Sequence, residues 1–263
     1  MPPLGRQKIL LLGDSLTQLC FEGWGSDLAD VYQRRADVLN RGMSGYNSRW
    51  YLRYAEDNGI WSEPGEVSLV TIFFGANDAA KQECEPIVHV PLEEYKRNIE
   101  QIVVKAGESY PGAKVLIISP PPVHPEQRLA YQKKRYGDKA TGVLERTSEI
   151  AGTYAATCRK VAEEKKVACL DLFTAMRTAE GNTDEDDIGR FFYDGLHFSK
   201  TGHKFVFDAL LNSIRTNFPT LEVKPCPNTG SFNNSSSSCD GIQNSGPYHD
   251  IIKTKRKWQD AFE

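Results

Sequence analysis

Hydrophobic positions along the chain fall into two alternating patterns. Continuous apolar runs at 8–12, 37–40, 68–74, 114–119 and 167–172 are bounded by turn residues and predict strands, the first of them buried on both faces. Between these runs, apolar residues recur at helical spacing and predict helices over 24–35, 47–56, 92–109, 144–166 and 201–217. Leu92, Tyr95, Ile99, Ile102 and Val103 give the 92–109 helix its apolar face, and Pro91 starts it. Phe205, Val206, Ala209, Leu210 and Ile214 do the same for the last helix, with Ser199 as its cap. Arg34 and Arg35 fall in the last turn of the first predicted helix, where cations favour the helix dipole. Segments 16–25, 79–91 and 124–142 read as loops, and Thr183–Asp187 as an acidic loop.

Strands alternating with helices imply parallel pairing through right-handed crossovers. The expected fold is therefore α/β, a three-layer α/β/α sandwich on a five-stranded parallel sheet. The pattern ends near Phe218, which sets a domain over 6–218. Residues 219–263 turn to Pro, Asn, Ser and Gly and read as a low-complexity tail, with a short helix predicted over Ile251–Phe262.

Composition narrows the function. The net charge of -3 over 263 residues argues against a nucleic-acid binder, and no apolar stretch is long enough to span a bilayer. The N-terminus has no apolar signal region, and the six cysteines form no Cys-x-x-Cys pair. Free thiols in a cytoplasmic setting are the expectation, with Cys226 and Cys239 the one pair placed to bridge in an oxidising compartment. No metal-ligand cluster and no glycine-rich phosphate cradle is seen.

Several polar turns collect at one edge of the expected sheet, where open α/β folds bind ligands. The first strand delivers Ser15, the second the loop holding Gly45, and the third Asn77, while Asp194 and His197 precede the final helix. Acyl transfer needs a nucleophile, a base, an orienter for the base and donors for the oxyanion. Ser15 offers the hydroxyl, His197 the base and Asp194 its orienter; the N–H groups of Ser15 and Gly45 with the Asn77 amide offer three donors. Each residue has a plainer alternative, since Ser15 can cap a helix, Asn77 can form a turn and His197 can mark a helix entry. Asp14 and Asp78 read as loop holders through bonds to backbone, and His203 as structural.

Gly13-Asp-Ser-Leu, the segment 40–45, Gly75-Ala-Asn-Asp and Asp194-Gly-Leu-His together resemble the four sequence blocks of the SGNH, or GDSL-type, hydrolases, in the family's order. Gly23-Trp-Gly, the segment 40–50, Phe73–Asp78 and Val90–Tyr95 resemble its isoamyl acetate-hydrolysing esterase branch. The resemblance implies a flavodoxin-like sheet, Ser15 as nucleophile, Asp194 and His197 completing a triad, and Ser15, Gly45 and Asn77 as the oxyanion hole. It also implies a small short-chain acetate-type ester as substrate and no cofactor, and it leaves a homodimer open. A thioesterase, sugar-ester deacetylase or acyltransferase would use the same residues. A silent binding domain has no physical need for all five.

Overall fold

Five strands make one all-parallel sheet in the order β2-β1-β3-β4-β5, formed by β1 (Gln7–Gly13), β2 (Ala36–Gly42), β3 (Val67–Phe73), β4 (Lys114–Ile118) and β5 (Ala168–Leu170). The computed structural model describes residues 6–182 and 187–223. Expectations for 183–186, for the terminal helix and for Cys226 and Cys239 lie outside them.

Side chains alternate across a strand, and the core divides accordingly. Ile9 and Leu11 of β1 face one layer with α2 (Trp24–Tyr32), α7 (Leu172–Arg177) and α8 (Lys200–Asn217). Leu10 and Leu12 face the other layer, with α3 (Ser48–Asp57), α4 (Leu92–Ser109) and α6 (Ser148–Lys165). The chain is thus a three-layer α/β/α sandwich, as the alternating pattern predicts. Register aligns Gly13 of β1 with Gly42 of β2 and Phe73 of β3, so the turns after these strands open at one edge. Among the described residues no helix is long and apolar enough to cross a membrane.

Several local expectations are corrected. The chain after Ser15 is not a loop but a short helix, α1 (Ser15–Gln18), followed by a 3-10 turn at Leu19–Glu22. The next helix ends at Tyr32 rather than Arg35: Arg34 takes a φ of 67°, and Arg35 turns into the core. Segment 124–142 contains a three-turn helix, α5 (Pro125–Tyr136), and α6 starts at Ser148 with Thr147 as its cap, later than 144. The boundary at Phe218 is also early. Pro219–Leu221 forms a 3-10 turn, Leu221 and Val223 are buried, and the Tyr32 hydroxyl donates to the Leu221 carbonyl at 2.7 Å.

Candidate active site

The turn after β1 is built around Asp14. Its Oδ1 accepts the Leu16 N–H at 2.9 Å, which caps α1 and sets Ser15 as the first helical residue. The Ser15 N–H therefore has no acceptor within the helix. Asn40 secures the other end of α1, donating to the carbonyls of Thr17 and Gln18 at 3.0 Å each.

The loop after β2 closes against this turn. Met43 N–H donates to the Gly13 carbonyl at 2.9 Å, and Ser44 N–H to Gln18 Oε1 at 2.6 Å. Gly45 follows with a φ of +79°, a conformation that favours glycine. Next to it, the Tyr46 carbonyl accepts Asn77 Nδ2 at 2.9 Å, which joins the β2 and β3 turns. Asp78 ties the β3 turn to the start of α3, accepting both the N–H of Ser48, at 2.9 Å, and its hydroxyl.

The opposite wall comes from the segment before α8. Ser199 caps that helix, accepting the Gly202 N–H at 3.2 Å. Asp194 folds back over its own turn, with Oδ1 accepting the N–H groups of Leu196 at 3.0 Å and His197 at 2.7 Å. Its Oδ2 meets His197 Nδ1 at 2.8 Å, and His197 Nε2 lies 3.0 Å from Ser15 Oγ. A carboxylate only accepts, so Nδ1 carries the hydrogen and the neutral ring leaves Nε2 to accept the Ser15 hydroxyl proton. Burial alone would raise the Asp194 carboxyl; the His197 ring and the N–H bonds outweigh that and hold it below the usual carboxylate range.

Ser15, Asp194 and His197, separated by up to 182 positions, thus meet at the edge of the sheet where the turns holding Gly45 and Asn77 also open. Ser15, Asp194 and His197 form a continuous hydrogen-bonded chain, and Asn77 is tied through Nδ2 to the carbonyl of Tyr46, the residue after Gly45. His203, expected to be structural, accepts the Trp24 N–H through Nδ1 at 3.4 Å, and its other side lines the site. Burial lowers its pKa. Beside Ser15 the protein leaves a small pocket of about 10 Å³, walled by Leu16, Leu19, Glu22, Tyr193, Phe198 and His203. Tyr193 stacks on His197 with centroids 5.8 Å apart. Among the described residues no group of three or more His, Cys, Asp or Glu side chains could hold a metal ion.

The chain matches the GDSL-like lipase/acylhydrolase family over residues 9–210. It belongs to that family. It is thus a carboxylic ester hydrolase of the GDSL type. It is 42% identical over 216 residues to a GDSL esterase/lipase of Arabidopsis thaliana, covering 80% of this chain and 86% of that one. It is 39% identical to the isoamyl acetate-hydrolyzing esterase 1 homolog of Bos taurus, covering 84% of each chain. The isoamyl acetate-hydrolyzing esterase of Saccharomyces cerevisiae is 34% identical, over 83% of this chain and 90% of the yeast protein. The same GDSL-type fold recurs in solved structures. A lipase/acylhydrolase from Enterococcus faecalis superposes with a TM-score of 0.59 at 23% identity, covering 80% of this chain and 96% of that one.

Sequence reasoning passed over three charged residues behind the site of this GDSL-type hydrolase. Arg146 donates from Nη2 to Asn77 Oδ1 at 3.0 Å and from Nε to the Ala76 carbonyl at 2.7 Å. Glu145 pairs with Arg146 at 3.2 Å and with Arg128 of α5 at 2.5 Å. Arg128 in turn places Nη1 3.5 Å from Asp194 Oδ2. All three are buried. Adjacent Glu and Arg fall at the start of the predicted 144–166 helix, where they read as a solvated face, and no spacing signal marks them otherwise.

Proposed function

We propose that the protein hydrolyses short-chain, acetate-type carboxylic esters through an acyl-enzyme on Ser15. The observation that carries this reading is the chain from Asp194 through His197 to Ser15, at 2.8 Å and 3.0 Å. Ser15 Oγ attacks the ester carbonyl as His197 Nε2 takes its proton. Asp194 holds the ring in the tautomer this needs and stabilises the imidazolium that forms. Negative charge developing on the carbonyl oxygen is met by the N–H groups of Ser15 and Gly45 and by the Asn77 amide. His197 then returns the proton to the leaving alcohol. Water then bonds to the acyl carbon as it gives a proton to His197, and His197 passes that proton to Ser15 Oγ as the acid leaves.

The enclosed part of the pocket beside Ser15 is small and its mouth is open to solvent, an arrangement that suits a short acyl group. The isoamyl acetate-hydrolyzing relatives point the same way. Cys20, Cys84, Cys158 and Cys169 are free, which suits the cytoplasmic location we propose. A panel of p-nitrophenyl esters from acetate to palmitate tests the reading. We expect kcat/KM to be highest for acetate, to fall with acyl length, and to vanish in Ser15→Ala. A palmitate preference, or activity retained in Ser15→Ala, contradicts it.

A further inference from the structure

Arg146 lies in the loop ahead of α6, only 8% exposed, and takes no part in the proposed triad or in the donor set. Removing a guanidinium from water is costly unless its donors are used in good geometry. Here they are used: Nε meets the Ala76 carbonyl, Nη2 meets Asn77 Oδ1, and Nη1 faces Glu145. Glu145 is itself held by Arg128 and Gln132 of α5. Arg146 is therefore fixed from behind and bonded in front to two consecutive residues of the β3 turn.

The consequence lies in the Asn77 amide, which can turn over and exchange its oxygen and nitrogen. A guanidinium only donates, and the Tyr46 carbonyl only accepts. One orientation satisfies both, with Oδ1 toward Arg146 and Nδ2 toward Tyr46. The turned-over amide would set oxygen against oxygen at Tyr46 and N–H against N–H at Arg146. With one Nδ2 hydrogen bonded to Tyr46, the second is left to donate. A positive charge on Oδ1 also polarises the amide and strengthens that N–H as a donor.

We propose that Arg146 is a positioning residue of the oxyanion hole, acting through the orientation and polarity of the Asn77 amide; this rests on reading Asn77 as an oxyanion donor. Its partners Glu145 and Arg128 anchor it, and Arg128 reaches Asp194, so both sides of the site lean on one buried charge cluster.

A double-mutant cycle on ester hydrolysis tests this, with kcat and KM measured separately and the folded state checked by thermal melting. Asn77→Ala alone should lower kcat by about 10²–10³, as for loss of one oxyanion donor. Arg146→Met should lower kcat by about 10- to 100-fold, the scale of a misplaced catalytic contact, with KM little changed. In the Asn77→Ala background the same substitution should cost less than about threefold, because the group it acts through is gone. Arg146→Lys keeps the charge opposite Glu145 but cannot reach Ala76 and Asn77 together. It should follow the methionine variant in both backgrounds, and it runs the cycle if the methionine variant does not fold. Equal losses in both backgrounds overturn the proposal, since Arg146 would then act on the fold or on the oxyanion directly. Wild-type kcat in Asn77→Ala removes the donor and this role with it, while fluorophosphonate labelling of Ser15 reports on the nucleophile independently.

Discussion

Asp14, immediately before Ser15, is a carboxyl with 1% of its surface exposed. Burial is the largest influence on it and raises its pKa to about 7, against the Leu16 N–H bond that favours the charge. The folded chain therefore keeps this proton up to about pH 7, while the unfolded chain releases it near 3.8. Between those values the folded state binds more protons, so Asp14 makes stability fall as pH rises. Asn at this position can still accept the Leu16 N–H and cannot ionise. Asp14→Asn should therefore gain stability over the native chain on going from pH 4 to pH 8, by on the order of 2–4 kcal/mol. Urea midpoints at the two pH values measure it, and a difference independent of pH shows that Asp14 does not titrate in this window. At this scale Ser15, Asp194 and His197 were legible because their chemistry sits at strand and helix ends with recognisable neighbours. Arg128, Glu145 and Arg146 were not, because charged side chains read as solvated until a fold encloses them.

Elements were legible where apolar residues repeat. The five strands and the long helices follow their hydrophobic pattern, while α5 lacked the pattern altogether. Its buried side chains include Arg128 and Gln132, so polar residues occupy the inward stripe that usually marks a helix. The start and stop signals were present nonetheless: Pro125 in the first turn, three basic residues in the last, and Gly137 after it. This helix backs the site through Gly195, between Asp194 and His197. Gly195 has a φ of +82°, and a Cβ there would lie 2.4 Å from the His124 carbonyl oxygen and 2.6 Å from the Arg128 nitrogen. Gly45 has a similar φ of +79° but nothing within 4 Å. Both alanine substitutions pay roughly 1–2 kcal/mol for the left-handed conformation, and only Gly195→Ala also pushes α5 away from the Asp194–His197 turn. We expect Gly195→Ala to have the lower Tm and the larger loss of kcat through a displaced His197. Equal melting temperatures would show that the α5 contact does not hold this turn.

Across the whole molecule, the alternation of strand and helix was enough to set layers and parallel pairing, and sheet order then brings the chain's first turn and last helix together. The domain end was less legible, because Pro219–Val223 has too few apolar residues to show a period. Phe218, Leu221 and Val223 are nevertheless buried. A chain ending at Val223 should keep ester hydrolysis, whereas one ending at Asn217 loses three buried apolar side chains. That loss is on the order of 4–9 kcal/mol, a Tm lower by roughly 10 °C or more for a domain of this size. Matching melting curves for the two truncations would show that the last segment does not close the core. In the proposed mechanism one hydroxyl, that of Ser15, carries the acyl group between the two halves of the reaction. Acid quenching during turnover of p-nitrophenyl acetate, followed by peptide mapping by mass spectrometry, traps that intermediate. One acetyl group is expected on Ser15 in the native protein and none in Ser15→Ala. Turnover with no acetyl group on Ser15, or with the acetyl group on another residue, would contradict that mechanism.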